Sequence, residues 1–287
     1  MKTNIIYNKD CIEGMKELPD ESVDCIITDP PYGCNATMKG NYNDDEDFIK
    51  TQLPIWFNQF KRVLKSNCYT FIYVPSLYLE NWLIESKKHF KLLNILSVEN
   101  MKVGRQYKDR FRNNCQLILV LSKGKPKGFN QVDWILTSDS WFKDKRNPNP
   151  KRYTSTYPSY IPNYYKATVE KNHGHNDEKN HLLIEKFIEI VTNNGEIVLD
   201  PFIGSGTIAV ACINTNRQFI GYEIDPQYYK LSLDRLSDKT STLPNGNPNG
   251  EFNKDLTATQ QVASPKSASQ TSLNPILNSI WVSPRSR

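Results

Sequence analysis

The stretch EIVLDPFIGSGTIAVACINTNRQFIGYEID, residues 196–225, decides the fold. Glu196 to Asp200 is a short apolar run ending in a carboxylate, as a buried strand would read. Gly204-Ser205-Gly206-Thr207 makes a turn, Ile208 to Asn214 a helix, and Gln218 to Glu223 a second strand closed by an acid. Strand, glycine turn, helix, strand and acid together read as a βαβ nucleotide-binding unit. The turn lacks the lysine of a P-loop, so it is not built for a triphosphate. Glycines let the backbone approach a ligand closely, and Glu223 is placed to accept hydrogen bonds from two ribose hydroxyls. Any nucleoside cofactor would fit, a dinucleotide included; glycines kept only for packing are the alternative.

Working outward, residues 4–7 read as a strand and Cys11 to Leu18 as a helix with Ile12, Met15 and Leu18 on one face. Val23 to Thr28 is a continuous apolar run of the kind found in buried parallel strands. It ends at Asp29-Pro30-Pro31-Tyr32. Two prolines cannot continue a central strand, so the chain leaves the sheet at its carboxyl end, where open α/β sheets bind ligands. An amphipathic helix over Phe48 to Leu64, a strand Cys68 to Val74, a helix Tyr78 to Phe90 and strands Leu92 to Val98 and Gln116 to Ser122 follow. Order returns at a helix His181 to Val191, with Leu182, Leu183, Phe187, Ile190 and Val191 on its apolar face, and the last helix covers Pro226 to Leu236.

Between Lys123 and Asn172 the periodicity dissolves into Pro, Asn, Tyr and Lys, which predicts an irregular insertion long enough to be a recognition module. From Ser241 onward 28 of the remaining 47 residues are Ser, Thr, Asn, Gln, Pro or Gly. Such a tail cannot bury enough apolar surface to offset its chain entropy, so disorder is expected there. The chain thus divides into a catalytic half (1–122), a target-recognition insertion (123–174), a cofactor-binding half of the same domain (175–238) and a low-complexity tail (239–287).

A 287-residue chain that is 38% hydrophobic can bury one substantial core. No run approaches the roughly 20 apolar residues of a membrane span, and Met1-Lys2-Thr3-Asn4 leads into a strand rather than a signal peptide. A soluble, cytoplasmic protein is expected. Six cysteines without a C-x-x-C pair suggest neither disulfides nor zinc, and His173, His175 and His181 lack metal-site spacing, so no metal is expected. The net charge is only +5, yet residues 101–172 hold 15 Lys and Arg against 5 Asp and Glu. That segment reads as a docking surface for a polyanion, with a solvated basic loop as the alternative.

Asp29-Pro30-Pro31-Tyr32 carries the sharper chemistry. An amino nitrogen on adenine or cytosine is a poor nucleophile because its lone pair is delocalised into the ring. The Asp29 carboxylate and the Pro30 carbonyl can accept both amino hydrogens and favour a pyramidal nitrogen whose lone pair attacks an electrophile. Pro31 stiffens the turn and Tyr32 offers a face for a base flipped out of its helix. A loop made merely of turn-forming residues is the competing reading.

Together these motifs resemble the amino-methyltransferases of DNA, specifically the permuted β group, in which the catalytic tetrad precedes the glycine motif. The resemblance spans residues 1 to about 236. It includes Asn8-Lys9-Asp10-Cys11, Arg62-Val63-Leu64-Lys65, Arg110-Phe111-Arg112-Asn113-Asn114 and Phe219-Ile220-Gly221-Tyr222-Glu223-Ile224-Asp225. It implies a Rossmann-like, S-adenosylmethionine-dependent methyltransferase fold of the α/β class, with a central, mostly parallel sheet flanked by helices. It also implies that Asp200, Phe202, Gly204 and Gly206 line the methionine half of S-adenosylmethionine, with Pro201, Ser205 and Thr207 in the same turn. Glu223 would hold the ribose, with Ile224 beside it, and Asp10 and Cys11 would sit near the adenine. Where the family commonly has His-Pro-Thr-Gln-Lys-Pro, this chain has His175-Asn176-Asp177-Glu178-Lys179-Asn180, keeping only His175 and Lys179. Lys179 is the candidate for the cofactor carboxylate.

The implied reaction is site-specific methylation of double-stranded DNA at adenine N6, by direct transfer to a flipped base. Arg105, Lys108, Arg110, Arg112, Lys143, Lys145 and Arg146 are the candidates for DNA contact. Ring-carbon methylation would need a cysteine nucleophile after a proline at the catalytic turn, and none is there. The Asp-Pro-Pro-Tyr form favours adenine over cytosine N4. RNA and protein-glutamine enzymes carry a related Asn-Pro-Pro-Tyr after the glycine motif, the reverse of the order here. A non-catalytic DNA-binding protein and a dehydrogenase are the readings from other classes; methyl transfer and the choice between nicotinamide and sulfonium ligands separate them. The resemblance admits a homodimer and a cognate restriction endonuclease as further partners, though no residue argues for either.

Overall fold

The computed structural model describes residues 1–33, 46–99, 115–130, 164–166 and 181–241. All belong to one compact unit, Met1–Pro248; a second unit, Asn249–Arg287, lies outside the described residues. The elements in chain order are β1 (Ile5–Asn8), α1 (Cys11–Lys16), β2 (Val23–Thr28), α2 (Glu46–Val63), β3 (Leu64–Val74), α3 (Leu79–His89) and β4 (Lys91–Glu99). They continue with β5 (Cys115–Ser122), β6 (Tyr164–Lys166), α4 (His181–Val191), β7 (Ile197–Asp200), α5 (Thr207–Asn214), β8 (Gln218–Glu223) and α6 (Pro226–Ser241).

These strands form one sheet in the order β1-β8-β7-β2-β3-β5-β4-β6. Every neighbouring pair from β1 to β3 is parallel; β5 runs antiparallel to both β3 and β4, and β6 is parallel to β4. The apolar run of β2 is buried at every position because it lies inside the sheet, between β3 and β7. Its side chains alternate between two cores, Cys25 and Ile27 on one face and Ile26 on the other. The Ile26 face is covered by α1, α2 and α3 through Met15, Trp56, Phe57, Phe60 and Trp82. Phe187 and Ile188 of α4 and Ala209 and Ala211 of α5 cover the other, with Tyr229 and Leu236 of α6 packed alongside. The result is a three-layer α/β/α arrangement. Helix α2 buries Ile49, Leu53, Trp56, Phe57, Phe60 and Val63, the helical spacing that its sequence predicted.

Three elements differ most from the sequence reading, the first being β3, which begins at Leu64 rather than Cys68. Tyr164–Lys166 adds an edge strand inside the segment read as irregular, pairing with Ser97 to Glu99; three residues are too few to display a period of two. Helix α6 runs to Ser241, past Leu236, because a fall in apolar content marks loss of burial and not loss of helical hydrogen bonds. Residues 131–163 and 167–174 of the proposed insertion and 242–287 of the proposed tail lie outside the described residues.

From β2 the chain crosses through α2 to β3, and from β7 through α5 to β8, on opposite sides of the β2–β7 pair. Connections that diverge in this way open a crevice at the carboxyl ends of the two strands, the switch point of an open α/β sheet. Main-chain pairing of β2 with β7 runs only through Cys25–Val198 and Ile26–Leu199. No helix among the described residues is long and apolar enough to cross a membrane.

The layer over β8 is set by contact at Gly14 of α1, where an added Cβ would stand 2.1 Å from Cε1 of the buried Tyr222 ring. We predict that Gly14→Ala destabilises the protein by about 1–3 kcal/mol through overpacking, although alanine is the better helix former. A lower urea midpoint with an unchanged slope in equilibrium unfolding is the expected observation, and an equal or higher midpoint would show that the ring can yield.

Candidate active site at the β2–β7 crevice

Leaving β2, the chain passes from buried Thr28 to Asp29 and then to the two prolines, which end the strand. The Tyr32 hydroxyl donates to Asp29 Oδ1, so the tetrad folds back on itself, and the Tyr32 ring packs against the α4/α5 core. Gly33 carries φ +74°, and an added Cβ would lie 3.2 Å from Glu46 Cα, so the chain turns here toward α2 where a side chain would not fit. Tyr73, buried near the end of β3, is pushed up in pKa by burial and further by the Asp29 charge, so its hydroxyl stays protonated.

Across the crevice, Asp200 ends β7. Its Oδ1 accepts hydrogen bonds from Thr28 Oγ1 at 2.8 Å and from the Phe202 amide at 3.0 Å. The Phe202 ring meets Trp56 of α2 edge-on, with centroids 4.9 Å apart. Ile203 donates its amide to Tyr222 O, fastening the turn to β8. Gly206, at φ +82°, opens α5, and its backbone lies so close to α6 that an added Cβ would be 3.1 Å from Ser232 Cβ. Gly204, at φ +51°, instead faces open space, with nothing within 4 Å of where a Cβ would stand. Glu223 accepts from the Gly204 amide at 2.9 Å through Oε2 and from the Asp225 amide at 2.8 Å through Oε1. Those bonds hold the carboxylate at the turn and leave lone pairs for hydroxyl donors.

The crevice is therefore lined by three carboxyl groups. Burial raises the Asp200 pKa to about 7, with the Thr28 hydroxyl and Phe202 amide opposing the rise and the Asp29 and Glu223 charges adding to it. Burial also raises that of Glu223, against the pull of the Asp225 and Gly204 amides. An environment that resists negative charge this strongly is suited to a ligand bringing positive charge.

Asp29, Pro30, Pro31 and Tyr32 thus stand opposite Asp200, Pro201, Phe202 and Gly204, with Glu223 and the half-exposed Ile224 at the β8 side. Other residues singled out in the sequence find partners within the protein. Asp10 caps α1 through the Ile12 and Glu13 amides, and Cys11 is buried in the core beneath. The hydroxyls of Ser205 and Thr207 are buried and face Arg235 of α6, whose Nη1 lies 3.0 Å from Thr207 Oγ1 and 3.4 Å from Ser205 Oγ. Lys179 and the basic residues Arg105, Lys108, Arg110, Arg112, Lys143, Lys145 and Arg146 lie outside the described residues. Sequence reasoning passed over Thr28, Tyr73, Ser232 and Arg235. Only Thr28 carried a signal, its place directly before the tetrad.

Fold and site together define an α/β protein in which the glycine turn after β7 and the Asp29–Tyr32 loop after β2 share one crevice. The chain belongs to the N6_N4_Mtase family of DNA methylases, which it matches over residues 23–234. It is 31% identical over 236 residues to the type II methyltransferase M.BamHI of Bacillus amyloliquefaciens, covering 76% of this chain and 54% of that protein, so it spans about half the relative's length. Over 240 residues it is 28% identical to the DNA adenine methyltransferase YhdJ of Escherichia coli K12, covering 80% of this chain and 82% of that one. The crystal structure of the M1.HpyAVI–SAM complex superposes with a TM-score of 0.55 at 26% identity, covering 80% of this chain and 98% of that chain.

The raised pKa of Asp200 has a consequence for stability. A carboxyl that ionises near 7 when folded and near 3.8 when unfolded costs the native state progressively more as pH rises between those values, and the full amount above them. Asp200→Asn, which keeps an acceptor for Thr28 and Phe202 but carries no charge, should be more stable than the parent at pH 8 by about 2–4 kcal/mol. The difference should close as pH approaches 4; unfolding midpoints across that range test it, and a gap that does not change with pH would refute the assignment.

Proposed function

We propose that this protein transfers a methyl group from S-adenosylmethionine to the N6 amino group of adenine in double-stranded DNA, acting directly on a flipped base. The observation that carries the reading is the juxtaposition, through the Thr28–Asp200 hydrogen bond, of the amine-binding loop and the glycine turn at one switch point. The residues present fit the cofactor: an open face at Gly204, a carboxylate at Glu223 for ribose hydroxyls, exposed Ile224 for the adenine ring and Asp200 for the cationic methionine half. Bound there, S-adenosylmethionine supplies an electrophilic methyl group on a sulfonium sulfur.

The chain's own groups do the rest. Asp29 and the Pro30 carbonyl each accept one hydrogen of the target amine, localising its lone pair. Tyr32, by donating to Asp29 Oδ1, orients the carboxylate while its ring offers a surface for the base. The proton that the nitrogen must lose leaves along its hydrogen bond to Asp29. This direct transfer needs neither a covalent cysteine adduct nor a metal. Asp29 as the first residue of the tetrad, and the adenine specificity that YhdJ's name records for that relative, favour adenine over cytosine N4.

Asp29→Ala should lower transfer at least about 100-fold while leaving cofactor affinity within about threefold, because it acts directly on the amine and reaches the cofactor side only as a minor charge on Asp200. Full activity in that variant, measured with tritiated cofactor on duplex DNA, would sink the mechanism. Sequencing DNA from a host expressing the gene, with modified-base detection, identifies base and site together: N4-methylcytosine would replace the adenine assignment, and no modification would favour a DNA-binding role. Replacing Lys143, Lys145 and Arg146 together should reduce the slope of log affinity against log salt by about 3. An unchanged slope removes that patch from the interface.

A further inference from the structure

We infer that Thr28 is a positioning residue for methyl transfer: its hydroxyl joins the cofactor-side carboxylate of Asp200 to the residue that bears Asp29, so that the two halves of the site are set against each other by one side-chain bond. The inference rests on the roles proposed above for Asp29 and Asp200.

Three observations support it. First, the β2–β7 main-chain ladder ends at Ile26–Leu199, so nothing in that ladder fixes the separation of the strand ends where the crevice opens. The Thr28 Oγ1 to Asp200 Oδ1 bond, 2.8 Å long and between residues 172 apart in sequence, takes over there. Second, both residues are buried, at 0% and 2% exposure, so water does not replace the bond at little cost. Third, Oδ1 is shared, since the same oxygen holds the Phe202 amide and thereby the start of the glycine turn. One atom thus receives the strand carrying the amine-binding loop and the loop carrying the cofactor turn.

The bond is also electrostatic. The titratable groups that act on Asp200 are Asp29 beyond β2 and Glu223 of β8; the thiols of Cys11 on α1 and Cys212 on α5 also face it and are held neutral by burial. Thr28 is the strongest influence that favours the ionised form. A sulfonium ligand would bind that ionised form in preference. Removing the hydroxyl should therefore shift the pH at which Asp200 becomes receptive, as well as loosening Asp29.

The full-length protein tests this with Thr28→Val, which removes the donor and keeps the branched shape, and Thr28→Ser, which keeps the donor. Calorimetric affinity for S-adenosylmethionine should rise with pH through about 7 in the parent. In Thr28→Val the midpoint should move up by about one unit and the affinity at pH 7 fall about fivefold, recovering near pH 9. Its kcat at saturating cofactor should fall as well, while Thr28→Ser stays close to the parent in both measurements. The uncharged thioether S-adenosylhomocysteine should show a weaker pH dependence throughout. A Thr28→Val midpoint and kcat equal to the parent's, or a Thr28→Ser variant impaired as much as Thr28→Val, overturns the inference. Should Thr28→Val fail to fold, Thr28→Ala against Thr28→Ser makes the same comparison. A parent protein that binds no S-adenosylmethionine would defeat the proposed function itself, an outcome distinct from a parent that binds normally beside an indifferent variant.

Discussion

Strands β2 and β7 stop sharing main-chain hydrogen bonds before either strand ends, and the Thr28–Asp200 bond spans the gap between them. Most of the site depends on that opening. A crevice between parallel strands leaves backbone groups without ladder partners, and this chain answers with side chains and turns. Asp200 takes the Phe202 amide, Ile203 donates to Tyr222, and Glu223 takes the Gly204 and Asp225 amides. These bonds hold the glycine turn in shape and leave Gly204 facing open space.

Placing carboxyl groups in such a site works against folding. Asp200 is almost fully enclosed, beside two further acids, and burial raises its pKa to about 7. The surrounding core offsets that cost, because two apolar layers with Trp56, Phe57, Phe60, Trp82 and Phe187 anchor the sheet on both faces. A protein that only had to fold would gain by neutralising the carboxyl. The function proposed above, in which Asp200 receives the cationic half of the cofactor, gives a reason to keep it.

Helix α6 shows how the turn is supported from outside the crevice. Ser232 fills the space that a side chain at Gly206 would need, and Arg235 of the same helix reaches the Ser205 and Thr207 hydroxyls. Trp56 of α2 meets Phe202 from the opposite layer. The turn is therefore gripped by helices from both faces of the sheet, which preorganises a segment that contains two glycines.

What the sequence determined by itself was local and periodic. The apolar run of β2, the helical spacing of α2, the prolines that end β2 and the glycine turn before α5 were all legible, because burial on one face or on all sides leaves its mark on nearby residues. The family motifs likewise marked Asp29, Asp200 and Glu223. Tertiary structure alone decided which strands are neighbours, that β5 is reversed, and that three residues at 164–166 join the edge. It alone also brought Thr28 within 2.8 Å of Asp200 and Arg235 within 3.0 Å of Thr207. Those pairings are separated by tens to hundreds of residues and depend on strand order and register, and no short-range pattern of hydrophobicity encodes either.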